Sequence, residues 1–554
     1  MQSYLQYRRI QQSVRRQVEP INSTRNGEIP ASGSTFPPPP PPPSSPSSPS
    51  AILPGVRPSD DGQLLIVGWE DENDPLNPRN YGLARRLAAT LIVTAMAFVV
   101  TAASSISSAV VPQTDAAYHV SDVVGSLTTG IYLLGFATGS LVSGPLSEIL
   151  GRNAVYSGSL VIFMLFVMAS GLAPNIGAQL ACRFLAGVFG CPPLTCAGGT
   201  VADLWSPLEK TFAFPLYSIV SFGGPVLAPV IASYMGGKVL SWRWTDWIIL
   251  IMSGLILALI LLFQPETYSP LLLRWKAKHL RTVTGDSRYH SPMDMQHADL
   301  LPRIWGALDR QFRLTVHEPI ILLIALYMTV IYIVLFTFFD GYTFIFTDVH
   351  HLSQGLTNVV WVAMYLGILL GGTLIPLIYK WTKAEFLAVR ATTGEGDPAA
   401  TEQPGSHVFD HVHTRPENRL WFAMFGAPCI PIALFWMGWT DWANVSIWSP
   451  IIASAFFGFG TVMVFISSYM YVIDTYDIYA ASALGFMTVS RYSVAGGMTV
   501  AGVPFYTNLG VHHTLTILAC ISAVMTPLPY VFYRYGEVIR GLSKFARKEK
   551  QLAA

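Results

Sequence analysis

Charged residues are scarce in this chain of 554 residues. Asp, Glu, Lys and Arg together make up only 12% of it, whereas 51% of the residues are hydrophobic. Soluble domains carry roughly twice that share of charge, so the composition indicates a protein that lies in the lipid bilayer. The net charge is only +1, and this balance argues against a nucleic-acid partner.

Cysteine is also rare, and several sequence signatures are missing. The five cysteines lie in apolar segments without a Cys-x-x-Cys pair, which argues against a disulfide framework and a zinc site. The histidine run at 407–413 lies in a segment that reads as a solvated loop, so no metal is expected there either. No phosphate-binding loop for ATP is present, and no removable signal peptide is expected. ATP hydrolysis is therefore not the expected energy source, and no cofactor is expected.

Residues 1–84 differ in composition from the rest of the chain. Prolines run unbroken from Pro37 to Pro43 and are followed by SSPSSPS. Such a segment favours the extended polyproline II conformation over a packed core. We predict a disordered, Pro/Ser-rich cytosolic tail over 1–84, with docking of a proline-binding module as the alternative role for it.

Apolar windows of about 20 residues, the length that crosses roughly 30 Å of hydrocarbon, recur along the remainder. They form two groups of six, separated by a polar stretch from Pro265 to His317. We therefore predict an all-α membrane protein with twelve transmembrane helices in two six-helix bundles. The predicted parts are an N-terminal bundle at 85–264, a cytosolic central loop at 265–317, a C-terminal bundle at 318–540 with a flexible cytosolic loop at 380–418, and a basic cytosolic tail at 541–554.

The positions of Lys and Arg predict the orientation, because basic residues remain on the cytoplasmic side of a membrane. If the N-terminus is inside, the outward connections hold only Lys238 and Arg243, and the more basic connections fall inside. Both termini are therefore predicted to be cytosolic. The plasma membrane is the expected location, with the vacuolar membrane as the alternative. Two bundles joined by a long cytosolic loop favour a transporter that rocks about a central site.

Five short motifs carry a resemblance to a known family. Gly144-Pro-Leu-Ser-Glu148 with Gly151-Arg152 resembles the signature G-x-L-[AS]-[DE]-x-x-G-R of the major facilitator superfamily. The other four resemble the fungal drug:proton antiporter branch with twelve spans, which includes polyamine and multidrug exporters. They are RFLAG at 183–187, ADLWSP at 202–207, PETYSP at 265–270 and YDIYAASA at 476–483. The resemblance covers residues 82–540 and implies the major facilitator fold.

The first motif predicts a gate at the cytoplasmic ends of the helices. Gly144 and Pro145 are expected to end the second helix, and Gly151 to allow a tight turn. The resemblance implies that Glu148 latches the two halves together, with the start of the eleventh helix near Ala480 as its partner. Ile149 and Asn153 replace residues that are often basic in the family, so fewer ion pairs are expected. The predicted gate residues are Gly144, Glu148, Gly151, Arg152, Asp203 and Asp474.

Arginines and acids within spans are costly to bury and mark a function or an internal partner. The arginine that matches Arg183 is implicated in proton transfer in proton-coupled relatives, with structural pairing as the alternative. Arg491 lies near the predicted midplane, where pairing across the C-terminal bundle is an equal alternative. Asp246 is expected either to lie in an aromatic belt or to pair with Arg243 or Arg183. The candidates for proton coupling are thus Arg183, Asp246, Asp340 and Arg491, and which acid carries the proton stays open.

By resemblance to the fold, the first and fourth helices of each half line the substrate path. Two side-chain faces with helical spacing lie on such helices. A hydroxyl face and an aromatic face would suit an amphipathic organic molecule or an organic cation, and helix packing is the alternative role for the small residues. The faces consist of Thr101, Ser104, Ser105 and Ser108 in the first helix, and of Tyr332, Phe336 and Phe339 in the seventh.

The sequence thus predicts a proton-coupled efflux pump that exports a drug, toxin, secondary metabolite or polyamine by alternating access. An uptake carrier of the same fold is the first alternative, because Ala228, Ala232 and Ser233 replace glycines of a motif associated with export. A non-transporting receptor would be expected to lose the coupling residues, which are present here. An enzyme that acts on lipid would need a nucleophile and base or paired carboxylates at one depth, which are not found.

Overall fold

A computed structural model describes residues 1–25, 53–59, 62–71, 73–235, 240–295, 300–393, 415–476 and 480–543. The proline run, the serine-rich segment after it, the histidine run, residues 394–414 of the predicted loop and residues 544–554 of the predicted tail lie outside the described residues. Within the described residues the chain is helical apart from one small sheet. The predicted all-α architecture is therefore confirmed.

Eleven described helical segments are long and apolar enough to cross a membrane. The last one breaks at Gly510, where φ is 73°, and so contains two spans. The spans, numbered 1 to 12 in chain order, are Leu83–Tyr118, Asp122–Leu150, Arg152–Gly171, Ile176–Leu204, Lys210–Ile231, Trp244–Phe263, Pro319–Val349, Gln354–Ala388, Pro416–Trp439, Trp448–Tyr476 and the two parts of Ser482–Gly541 on either side of Gly510.

Two helices run further than the sequence predicts. The helix of span 2 continues to Leu150 with Pro145 inside it, so the prediction that Gly144 and Pro145 end the helix is wrong. A proline removes one backbone donor, which a membrane helix tolerates when neighbouring groups compensate. This helix ends instead at Gly151, whose φ of 92° is a conformation that favours glycine. The helix at Ile375–Thr393 likewise occupies the start of the predicted flexible loop.

Close backbone contacts join the two bundles. Gly130 in span 2 lies against Gly496 in span 11, where an added Cβ at Gly130 would approach the Gly496 carbonyl oxygen to 2.6 Å. Span 5 packs on span 8 in a similar manner, since Gly223 faces the ring of Tyr365. Small residues allow helices in a membrane to approach closely, so these two contacts form part of the interface between the halves.

A small folded unit, here named the terminal module, lies beside the first bundle. Its helix α1 (Gln2–Arg25) packs on helix α2 (Ser269–Thr284). Its strands β1 (Val56–Pro58) and β2 (Leu65–Val67) pair antiparallel, and β2 pairs parallel with β3 (Tyr289–His290). A third helix, α3 (Leu300–His317), leads towards span 7. The prediction of disorder is wrong for the described parts of 1–84.

The reason for this difference is a short apolar stripe on a mostly polar helix. Ile10, Val14 and Val18 are spaced by four residues and are buried in one cluster with Leu272 and Leu280 of α2. A stripe at that spacing lies on one face of a helix. The average composition of residues 1–84 conceals the stripe, and the covering surface is supplied by the predicted central loop.

Candidate functional site

A small cavity lies between the two bundles. Its volume is about 20 Å³, which is room for about one water molecule. The closed state described here therefore holds no space for an organic molecule, and binding requires the bundles to separate. The lining comes from spans 1, 4, 5, 7, 10 and 11 and includes Thr101, Ser104, Leu194, Tyr217, Ser221, Phe222, Pro225, Tyr332, Phe336, Phe465, Arg491 and Tyr492.

The structure divides the predicted substrate-path residues into two groups. Thr101, Ser104, Tyr332 and Phe336 line the cavity. Of the other three, Ser105 Oγ donates to the Pro225 carbonyl of span 5 at 2.9 Å, and the Phe339 ring stacks on Trp361 of span 8 at a centroid distance of 4.6 Å. Ser108 Oγ donates to the Ser105 carbonyl within its own helix at 2.7 Å. Spans 5 and 11 also contribute to the lining, which the resemblance to first and fourth helices did not indicate.

Arg491 is a charged residue at this cavity, and only 1% of it is exposed. Four aromatic rings surround its guanidinium carbon, at centroid distances between 4.7 and 5.6 Å, and they belong to Tyr332, Phe465, Tyr469 and Tyr492. Its Nη1 donates to the Tyr469 hydroxyl, and its Nε has no hydrogen-bond partner. Among the described residues no carboxylate forms an ion pair with it, so the predicted pairing in the C-terminal bundle is made with aromatic rings.

The first bundle buries a true ion pair instead. Arg183 Nη2 lies 2.9 Å from Asp246 Oδ1, and both side chains are nearly inaccessible to solvent. Arg183 also donates to the Ala103 carbonyl at 2.9 Å, and Ser170 donates to Asp246 at 3.3 Å. Arg243 donates to two carbonyl groups near the end of span 3. Of the alternatives for Asp246, pairing with Arg183 is the one that the structure contains.

One face of the bundles carries the terminal module and the span 2–span 3 connection, and we name it the terminal face. Here Arg152 Nε lies 3.4 Å from Asp203 Oδ2, so two of the predicted gate residues meet. Glu148 is exposed, and within the described part of the chain it forms no hydrogen bond or ion pair. Asp203, and not Glu148, is thus the ion-pair partner of Arg152 in this state.

Glu266 is a residue of this face that the sequence-based candidates omit. Its buried carboxylate accepts the backbone N–H groups of Arg152 at 3.0 Å and Asn153 at 3.1 Å, and those of Thr267 and Tyr268 at 3.0 Å. Burial raises the pKa of Glu266, while these hydrogen bonds oppose the rise. A carboxylate at the first turn of span 3 also interacts favourably with the helix dipole. The PETYSP motif contains this acid and is the signal that could have found it.

Arg419 joins the halves on the terminal face. Its Nε lies 2.6 Å from Asp474 in its own bundle, while Nη2 donates to the Pro207 carbonyl of the other bundle at 2.7 Å. Its Nη1 also donates to the Thr211 hydroxyl of that bundle. Arg419 is not among the sequence-based candidates. Asp474, by contrast, is among the predicted gate residues, and the structure places it beside this contact.

On the opposite face, here named the distal face, other contacts join the halves. Ser126 Oγ in span 2 donates to Asp340 Oδ1 in span 7 at 3.0 Å, while Asp340 Oδ2 is buried without a hydrogen-bond partner. Gln354 Nε2 donates to the Ala109 carbonyl at 2.7 Å, again across the halves. Contacts between the halves are therefore present on both faces, and the structure is an occluded state.

Among the described residues, no group of three or more His, Cys, Asp or Glu side chains is arranged to hold a metal ion. Near the distal face, His350 Nε2 lies 3.8 Å from Asp441 Oδ1. Burial raises the pKa of Asp441 to about 6, and the nearby His512 opposes the rise. This cluster is an acid–imidazole contact on the second bundle.

Comparisons with known proteins agree with this geometry. The family described as Major Facilitator Superfamily matches residues 93–500. The MFS-type transporter kojT of Aspergillus flavus is 46% identical over 482 residues, which are 87% of this chain and 82% of that protein. The citrinin biosynthesis cluster MFS transporter mrr1 of Monascus ruber is 33% identical over 88% of this chain and 93% of that protein. The solved proton:xylose symporter XylE is similar in fold, with a TM-score of 0.57 at 13% identity over 82% of this chain and 96% of its own.

Proposed function

Because the chain belongs to the major facilitator superfamily and is a multi-pass secondary membrane transporter, we propose that it exports a small organic molecule in exchange for protons. The observation that carries the proposal is the central cavity. One set of contacts between the bundles closes it on the terminal face, and another set closes it on the distal face. One relative is named as a transporter of the citrinin biosynthesis cluster, which supports export of a secondary metabolite. The membrane that we propose is the plasma membrane, with both termini in the cytosol.

Transport then follows from breaking one set of contacts while the other stays closed. Opening of the terminal face separates Arg419 from Pro207 and Thr211 and admits the molecule from the cytosol. Opening of the distal face separates Asp340 from Ser126 and releases the molecule outside. The close packing of spans 2 and 11 and of spans 5 and 8 provides the surfaces about which the bundles rock.

Asp340 is the acid that we propose carries the proton. It lies in span 7 and faces Ser126 of span 2, which is the one hydrogen-bond partner of its two carboxylate oxygens. A charged carboxylate is costly to bury with so few partners, so proton binding from outside favours closure of the distal face. Asp246 is less suited to this role, because Arg183 already holds it in a buried ion pair.

The test is transport by inside-out membrane vesicles that contain the full chain, in which export appears as accumulation. A panel of small organic compounds is offered with an acidic vesicle interior, and again after the pH gradient is collapsed. We expect gradient-dependent accumulation by the wild type and its loss in Asp340→Asn. The matched control is Asp348→Asn, which removes an exposed acid from the same end of span 7 and should leave accumulation unchanged.

Two outcomes would contradict the proposal. Accumulation in intact cells that rises on expression would replace export by uptake. Export that persists without a pH gradient would contradict proton coupling. Export that persists in Asp340→Asn at equal protein level would contradict the role proposed for this acid.

A further inference from the structure

The buried arginines of this chain differ in one respect. The described residues include five arginines of which less than a tenth is exposed, and four of them form an ion pair with a carboxylate. The four pairs are Arg86 with Glu209, Arg152 with Asp203, Arg183 with Asp246 and Arg419 with Asp474. Arg491 is the fifth, and no carboxylate of the described residues pairs with it.

The surroundings of Arg491 offset its charge only in part. The faces of Tyr332 and Tyr492 lie 4.7 and 4.8 Å from the guanidinium carbon, and ring faces attract a cation. The Tyr469 hydroxyl accepts one N–H, yet Nε remains buried without an acceptor. A buried charge without a counter-ion is costly, so this cation is prepared for an anion that the described part of the protein does not supply.

The position of Arg491 at the central cavity indicates that the anion is part of a molecule that enters this cavity. Its side chain lines the central cavity together with the hydroxyl-bearing residues Thr101, Ser104 and Ser221. A molecule that enters between the separating bundles meets this guanidinium, the hydroxyl groups and several aromatic rings. The rings suit the flat face of a conjugated system, and the guanidinium suits the two oxygens of a carboxylate.

We propose that Arg491 binds the negatively charged oxygen group of the transported compound, which is a small aromatic or conjugated organic acid. The inference rests on the proposed function, because it assigns the substrate class of the same cavity. It also disfavours polyamines and other organic cations as cargo, because Arg491 would repel a positive charge in a site of low dielectric.

The test is ligand binding to the purified full chain in detergent. Benzoate, 2-hydroxybenzoate and cinnamate are each compared with the corresponding neutral amide. The affinity of each compound is taken from the ligand concentration at which the melting temperature of the protein rises. We expect the wild type to bind at least one acid about tenfold or more tightly than its amide, since hydrogen bonds to a charged group are stronger than neutral ones. Arg491→Gln should remove that preference, and Arg491→Lys should retain part of it.

Internal controls separate binding from folding. The amide should bind to Arg491→Gln about as well as to the wild type, which shows that the cavity is intact. Arg310→Gln, which removes one exposed positive charge from α3, should keep the preference for the acid. If no acid binds more tightly than its amide, or if Arg491→Gln keeps the preference, the inference is overturned.

The outcome is also distinguishable from failure of the proposed export. Binding to the purified protein depends neither on the direction of transport nor on a proton gradient. If the acids bind through Arg491 but do not accumulate in inside-out vesicles, the result contradicts export and supports the inference. Gradient-driven export by the wild type that shows no preference for the acids over their amides would support export and contradict the inference.

Discussion

Arg419 Nε lies 2.6 Å from Asp474 Oδ2, and the same guanidinium donates to the Pro207 carbonyl of the opposite bundle at 2.7 Å. The carboxylate restrains the orientation of the guanidinium, because an arginine fork pairs with a carboxylate in a defined plane. Asp474 thus positions Arg419, and Arg419 makes the contact between the halves. In this state the predicted latch at Glu148 plays no such part.

Replacement of Arg419 by alanine should therefore favour opening of the terminal face, since one buried ion pair and two hydrogen bonds are lost. The probe is Ser221→Cys, whose thiol lines the cavity and should react several-fold faster with a membrane-impermeant reagent applied from the terminal side when Arg419→Ala is also present. Chains that retain Ser221 give the background from the native cysteines. Arg415→Ala removes an exposed charge nearby and should leave the rate unchanged. Equal rates with and without Arg419→Ala would show that Arg419 does not hold this face closed.

Two glycines of the first motif should respond in opposite ways to alanine. Gly151 has a φ of 92°, and an added Cβ would lie 2.7 Å from Glu266 Oε2, so Gly151→Ala should lower the free energy of unfolding by about 1–3 kcal/mol. Gly144 lies within a helix with open space around it, and Gly144→Ala should raise that free energy by up to about 1 kcal/mol. Melting temperatures in detergent measure both changes. A larger loss at Gly144 than at Gly151 would contradict the structure.

Asp441 should make stability depend on pH. Burial raises its pKa from the ordinary 3.8 to about 6, so the native state binds a proton more tightly than the unfolded state does. Its contribution to stability is therefore full below pH 3.8 and is lost as the pH rises through about 6. The imidazoles of His350 and His512 lie near this carboxyl group, so a difference measurement is needed.

The comparison with Asp441→Asn isolates this contribution, because the two histidines remain in both proteins. We expect the melting temperature of the variant, relative to that of the wild type, to rise between about pH 4 and pH 7. A difference between the two proteins that stays constant over this range would contradict the raised pKa.

The terminal module predicts a stability effect far from the cavity. Val14 is fully buried between α1 and α2, so Val14→Ala should lower the free energy of unfolding by about 1–2 kcal/mol through the lost packing. The neighbouring Arg15 is exposed, and Arg15→Ala should change that free energy by less than about 0.5 kcal/mol. Urea or thermal unfolding followed by tryptophan fluorescence, to which Trp275 on the same cluster contributes, provides the measurement. Equal stability of the two variants would restore the prediction of disorder for residues 2–25.

Much of the fold can be predicted from the sequence, because the thickness of a bilayer sets the length of each membrane-spanning helix. Apolar windows of about 20 residues predict the spans. The structure contains them, with differences at the end of span 2, where Pro145 lies inside the helix, and at the end of span 8, where the helix continues to Thr393. The terminal module could not be predicted in this way, because it lacks long apolar windows. Its helix α1 is polar on average, and its three buried aliphatic residues reveal a partner only when α2 is in place.

The candidate site is predictable only in part. A motif singles out Arg152 as a gate residue, and hydropathy places Arg183 and Arg491 within spans. The identity of each partner depends on the rotation and packing of spans far apart in the chain. Asp203 joins Arg152 over 51 positions of sequence, and Asp246 joins Arg183 over 63. A pairing of this kind has no local signal, because hydrogen-bond geometry exists only once the helices have packed.

Composition, span length and short motifs are local properties of a chain, and they were enough to establish that this one crosses a membrane in two groups of helices and resembles one transporter family. They could not establish which buried charges neutralise one another. Helix packing placed Arg419, and not Glu148, at the contact between the halves, and it left Arg491 among aromatic rings at the central cavity. A charge buried in a medium of low dielectric is governed by its neighbours, and these come together only in the folded chain.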